Sequence, residues 1–108
     1  MDPKLLAGTL DLLILESLLP GRSYGYAIAQ NVRATSNETI LLKEGSLYPA
    51  LHKLERAGSL KAEWGEENGR RRKYYRLTAE GKKALETKRA SWTQFAAGMN
   101  AVLGAEPA

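Results

Sequence analysis

The apolar residues of this chain change period twice, and that limits its fold more than any other feature. Up to residue 57 they recur three and four apart, as on one helical face; from Leu60 to Leu77 they alternate; from residue 79 the helical spacing returns. The last helix before the first change lies in EGSLYPALHKLERAGSL, residues 44–60. Leu47, Leu51 and Leu54 form its inner side, while Ser46, His52, Lys53 and Arg56 cannot be core. Pro49 sits inside this pattern, where a proline normally breaks a helix. It is tolerated in a first turn, whose N–H groups have no intrahelical partner. The spacing therefore predicts a helix that starts with Ser46 as N-cap and ends near Ala57, with Gly58 as left-handed terminator.

The other elements follow from the same reading. A first helix is expected over residues 4–19, where Leu5, Leu6, Leu10, Leu12, Leu13, Ile14, Leu15, Leu18 and Leu19 cover more than one face. A small domain rarely buries such a helix by itself. Pro20-Gly21 ends it, and Ser23 is expected to cap a second helix over 24–34 with Gly25, Ile28, Ala29 and Val32 on a narrow face. Gly25 costs about 1 kcal/mol relative to alanine, which close approach of another helix would offset. Leu60, Ala62 and Trp64 give a strand, GEENGRRR a long turn-rich tip, and Tyr75 and Leu77 a return strand. Thr78 caps a last helix over 79–103. On it Leu85, Trp92 and Met99 are spaced by seven, as are Phe95 and Val102, a heptad seam interrupted by Lys88.

Composition narrows the chemistry. A chain of 108 residues without cysteine and with one histidine has neither a disulfide framework nor a thiolate or histidine-rich metal site. It has no glycine-rich phosphate loop and no clustered carboxylate pair, so an enzyme is not expected, nor a cofactor. The most apolar stretch, residues 6–19, contains Asp11 and Glu16 and is too short to span a bilayer, which makes a cytoplasmic protein the expectation. The net charge is +4, but RRRKYYR at residues 70–76 carries five cations, without which it would be −1. The basic character is thus one local patch.

Three helices, a two-stranded ribbon and a further helix make a mainly α chain with a small β-wing, the winged helix-turn-helix order. In that arrangement the third helix enters the major groove. Ser46, Tyr48, Pro49, His52 and Lys53 then lie at or near the groove, Arg70, Arg71, Arg72 and Lys73 sit where a wing meets phosphates, and Tyr24 and Lys43 flank them. A winged helix that binds only proteins is the alternative, though it has no need of the basic run.

YGYAI (24–28), EGSLYPALHKLERAGSL (44–60), Trp64 and RRKYYRLTAEGKKAL (71–85) together resemble the PadR family of transcriptional regulators, in its short form with one C-terminal helix. Ser46 stands where threonine is common in that family. The resemblance implies a DNA-binding winged-helix unit over residues 1–78 and a dimerisation helix over 79–108. It also implies a homodimeric regulator, usually a repressor, whose first and last helices build the dimer. Leu5, Leu6, Leu10, Leu13, Leu85, Trp92, Phe95, Met99 and Val102 are the matching interface residues. In similar proteins a small planar effector binds between the subunits near aromatic residues of the last helix, and Trp92 with Phe95 match that place.

Overall fold

The computed structural model describes residue 6 and residues 8–104. Along the chain they form α1 (Leu10–Ser17), α2 (Gly25–Thr35), α3 (Glu44–Arg56), β1 (Leu60–Glu67), β2 (Arg70–Leu77) and α4 (Ala79–Leu103), a winged helix-turn-helix with one long C-terminal helix. The core is drawn from every element: Ile14, Leu15 and Leu18 from α1 and its end, Ile28 from α2, Leu47, Leu51 and Leu54 from α3, Leu60, Tyr75 and Leu77 from the hairpin, and Leu85 from α4.

All three helices before the hairpin start differently from the sequence reading, α2 by one residue, at Gly25 after Tyr24, and α1 and α3 by more. In place of one helix over 4–19, Gly8 and Thr9 form a turn before α1. The Thr9 hydroxyl and N–H both donate to the Leu6 carbonyl, at 3.2 and 3.0 Å, a local bond that competes with the helical ladder. Leu5, expected at the interface, lies outside the described residues. α3 begins at Glu44, with Lys43 as N-cap, rather than at Ser46. Ser46 is already helical and its N–H bonds the Lys43 carbonyl at 3.0 Å. A carboxylate in the first turn suits the positive end of the helix. Pro49 then falls in the second turn, and the exposed Gly45 is left to offer its carbonyl to water.

The end of α3 is as expected. Gly58 is left-handed at φ 82°. The Gly58 N–H bonds Glu55 and the Ser59 N–H bonds Leu54, each at 3.0 Å, which is the paired pattern of a Schellman terminator. Ser23 is not a side-chain cap. It is extended and exchanges two backbone bonds with Tyr75, at 3.0 and 2.7 Å, so the chain entering α2 pairs with β2. The close approach expected at Gly25 is present: a Cβ there would lie 2.8 Å from the Tyr48 ring of α3.

The hairpin is longer and its tip shorter than the sequence suggested. Asn68 and Gly69, at φ 53° and 75°, make a two-residue turn with both residues left-handed. Its twist matches that of the strands, so the ladder runs unbroken from Glu67↔Arg70 to Leu60↔Leu77. The cations therefore sit on a regular strand and not on a loop.

α3, both hairpin legs and α4 meet at one junction. Thr78 caps α4 by accepting from the Gly81 N–H at 3.0 Å, and its hydroxyl donates to the Gly58 carbonyl at 2.6 Å. Its own N–H bonds the Ser59 carbonyl at 3.1 Å. Gly81 permits this, because a Cβ there would lie 2.1 Å from that same carbonyl oxygen. Gly81→Ala should accordingly destabilise the fold by about 1–3 kcal/mol, as overpacking does. Thr78→Ala should cost about 1 kcal/mol as a lost cap. Urea unfolding followed by circular dichroism measures both, and a Gly81→Ala midpoint equal to the parent's would refute the junction.

Candidate functional site

α3 divides cleanly. Leu47, Ala50, Leu51 and Leu54 are buried, and Ser46, Tyr48, Pro49, His52 and Lys53 are exposed. The exposed residues are those that the sequence placed on the outer face. Tyr48 has two duties, since its ring also packs on Gly25. Lys53 leans toward the body, where its ammonium meets Asp11 of α1 at 3.4 Å.

The hairpin continues this surface through its two faces, which alternate residue by residue. On one face Lys73 reaches Glu55 of α3 at 3.4 Å, and Tyr75 fills the core below. Burial opposes the charged form of Lys73, but the Tyr75 hydroxyl and the Glu55 carboxylate outweigh it, and its pKa lies above the ordinary lysine value. Further out on this face the Arg71 guanidinium covers the exposed Trp64 ring at 4.4 Å.

The other face rests on the segment leading into α2. The Arg22 guanidinium lies 4.2 Å above the Tyr74 ring, Tyr74 meets Tyr24 edge to face at 5.6 Å, and Arg72 lies 4.2 Å above Tyr24. Gly65 makes room, since a Cβ there would be 2.9 Å from the Tyr74 ring. Carboxylates of β1 tie the stack in place: Glu63 holds Arg22 at 3.1 Å, and Glu67 lies 3.8 Å from Arg72. Burial, then the neighbouring Glu67, raises the Tyr74 pKa above the ordinary tyrosine value. Arg22, Glu63, Glu67 and Tyr74 are absent from the sequence-based site. Arg22 and Glu63 are 41 positions apart, so no local pattern joins them.

α4 presents a different surface. Leu85, expected in the intersubunit seam, is 4% exposed and belongs to the core of its own chain. Two turns from the α4 cap, it joins the buried cluster to which every other element contributes. Trp92, Phe95, Met99, Val102 and Leu103 are exposed along the rest of the helix. Trp92 and Phe95, with ring centres 6.1 Å apart, line an open groove of about 640 Å³ whose other side includes Gly8, Thr9 and Leu12. Lys88, the discordant seam position, lies in the same groove. Among the described residues no group of histidines and carboxylates could hold a metal ion, and no helix is long and apolar enough to cross a membrane.

The exposed face of α3 is continuous with a cationic wing, and residues 14–87 match the model of the transcriptional regulator PadR-like family. The chain belongs to the PadR-like family of transcriptional regulators. It is 39% identical to a transcriptional regulator from Clostridium thermocellum, with a TM-score of 0.83 over 90% of this chain and 95% of that one. It is likewise 39% identical to a PadR family transcription regulator from Clostridium difficile, with a TM-score of 0.77 over 88% and 98%. An uncharacterised protein of Lysinibacillus sphaericus is 34% identical over 91 residues, 83% of this chain and 84% of that protein. The PadR-like chain is thus a DNA-binding regulator of transcription and not an enzyme.

Phosphate contacts position a protein on DNA without reading sequence. Replacing Arg70, Arg71 and Arg72 by alanine should therefore weaken binding to every duplex alike and flatten the dependence of log K on log[salt] by about 0.9 per lost phosphate contact. Fluorescence anisotropy at four salt concentrations measures this, and an unchanged slope would exclude the wing from the backbone.

Proposed function

We propose that this PadR-like regulator is a homodimeric repressor that holds an inverted-repeat operator and releases it when a small planar aromatic molecule binds near Trp92 and Phe95. The observation that carries the DNA half is continuity. The Tyr48–Gly25, Tyr24–Arg72 and Lys73–Glu55 contacts join the exposed face of α3, the start of α2 and the wing into one surface. On it Ser46, Tyr48, Pro49 and His52 are offered to base edges, with Lys43, Tyr24 and Arg70 to Lys73 flanking them toward phosphates. Lys53 can join them by leaving Asp11, an exchange that its 69% exposed side chain allows.

The dimer half rests on α4. Trp92, Phe95, Met99 and Val102 form an apolar row on a helix segment that the chain's own core leaves uncovered, and Leu6, Leu10 and Leu13 of the N-terminal region are only partly buried. A two-fold contact covers both by pairing each patch with its symmetry mate. Two α3 helices would then read half-sites about 10 bp apart. The groove between α1 and α4 offers a flat ligand two aromatic rings on one side and Leu12 on the other. Such a ligand releases DNA by binding better to a subunit arrangement with the wrong helix spacing.

The test is selection of bound duplexes from a random pool. An inverted repeat is expected, and His52→Ala should shift preference or specific affinity by about 1–3 kcal/mol per lost base contact. A His52→Ala footprint identical in strength and sequence to the parent's would remove that residue from the groove. Sedimentation at micromolar concentration is expected to give a dimer, and a folded monomer refutes the interface. Planar aromatic compounds that release the operator should quench tryptophan emission. Because Trp64 also emits, Trp92→Phe must abolish the quenching, and quenching that persists undiminished places the pocket elsewhere.

A further inference from the structure

The wing carries a contact that DNA binding, on the reading above, has to break. Glu67, the last residue of β1, turns its carboxylate back along the hairpin, where one oxygen lies 3.4 Å from the Tyr74 hydroxyl and 3.8 Å from the Arg72 Nε. The second distance is too long for a hydrogen bond. The Arg72 Nε is buried and has no hydrogen-bond partner. Such a donor is costly to leave unsatisfied. The groups around Glu67 are fixed: the Arg72 guanidinium is stacked on Tyr24, and the Tyr74 ring is clamped between Arg22 and Tyr24. The carboxylate is the movable part, on a side chain 49% exposed at the end of the strand.

We propose that Arg72 and the Tyr74 hydroxyl form a seat for one DNA phosphate, and that Glu67 is its built-in competitor, a carboxylate that occupies the seat in the free protein and is displaced by a phosphate oxygen. A guanidinium and a phenolic hydroxyl converging on one anionic oxygen suit phosphate as well as carboxylate. The Tyr74 phenol is protonated at neutral pH, so it can donate to either anion. Because phosphate contacts carry no sequence information, this competition weakens binding to every duplex by the same factor. The sequence-selective contacts of α3 are untouched, so Glu67 keeps the regulator off random DNA and thereby becomes a residue that sets its working occupancy.

The experiment compares Glu67→Gln with Glu86→Gln, the same change of charge on α4, using a mixed-sequence duplex and the full chain. Glu67→Gln should tighten binding several-fold with little change in the slope of log K against log[salt], because the same phosphate is contacted in both complexes and only the competitor in the free protein is lost, whereas Arg72→Ala should flatten the slope by about 0.9. Glu86→Gln should change affinity less and leave the slope as it is. In an Arg72→Ala or Tyr74→Phe background the gain from Glu67→Gln should shrink or vanish. An affinity unaltered by Glu67→Gln, or a gain that survives undiminished in both backgrounds, overturns the seat. The parent's own salt-dependent affinity reports separately on the DNA reading: a parent that binds no duplex overturns both.

Discussion

The absence of a side chain at Gly81 holds the architecture together. It lets the first turn of α4 press against the Ser59 carbonyl, which also accepts the Thr78 N–H. At this point α3 ends, the hairpin begins and returns, and the long helix starts. No loop separates these elements, so their mutual angles are set by backbone bonds and not by side chains that can change rotamer. α3, the hairpin and the start of α4 are in that sense one piece, and a force on α4 is felt at the helix and the wing together.

The attachment of the wing to α2 is of another kind. It consists of stacked guanidiniums and exposed ion pairs, each worth about 1 kcal/mol or less. Two backbone bonds between Ser23 and Tyr75 are its firm part. This suits a surface that meets a polyanion. Groups that bind phosphate must be oriented in advance, yet any carboxylate that orients them must also be able to let go. The ladder places Glu66 and Glu67 directly opposite Arg71 and Arg70, so the acid-poor run at residues 70–76 is acid-poor only in sequence. In space it has counter-ions on the adjacent strand.

Local chemistry was legible wherever a residue type decides a conformation alone. Thr78 and Gly58 marked the start of α4 and the end of α3 correctly. The two changes of period gave the element order, and the inner and outer faces of α3 followed from its leucines. What escaped depended on partners far along the chain. Ser23 looked like a cap because nothing local reveals its pairing with Tyr75. Ser46 looked like a cap because a proline was assumed to need the first turn, whereas an exposed Gly45 carbonyl tolerates it in the second. Leu85 fitted a heptad spacing yet faces inward, since spacing cannot say where along a helix the chain's own core stops covering it. The turn-rich GEENGRRR suggested a broad tip because Gly65 reads as a loop residue, when its role is to admit the Tyr74 ring.

The length of α4 has a mechanical consequence. Its 25 residues span about 37 Å at the usual rise, and it is held to its own chain from the Thr78 cap as far as the ion pair of Arg89 with Glu16 of α1. A tilt of about 10° in the segment beyond Arg89, about 21 Å long, moves the far end by about 3–4 Å, close to the separation of successive base pairs in a duplex. If the proposed partner subunit grips the far end, the same rotation shifts α3 and the wing relative to it by a comparable amount. The helix is therefore a gear as well as a strut. In the proposed dimer, a ligand beside Trp92 would need to alter this tilt only slightly to put one α3 a step out of register with its half-site.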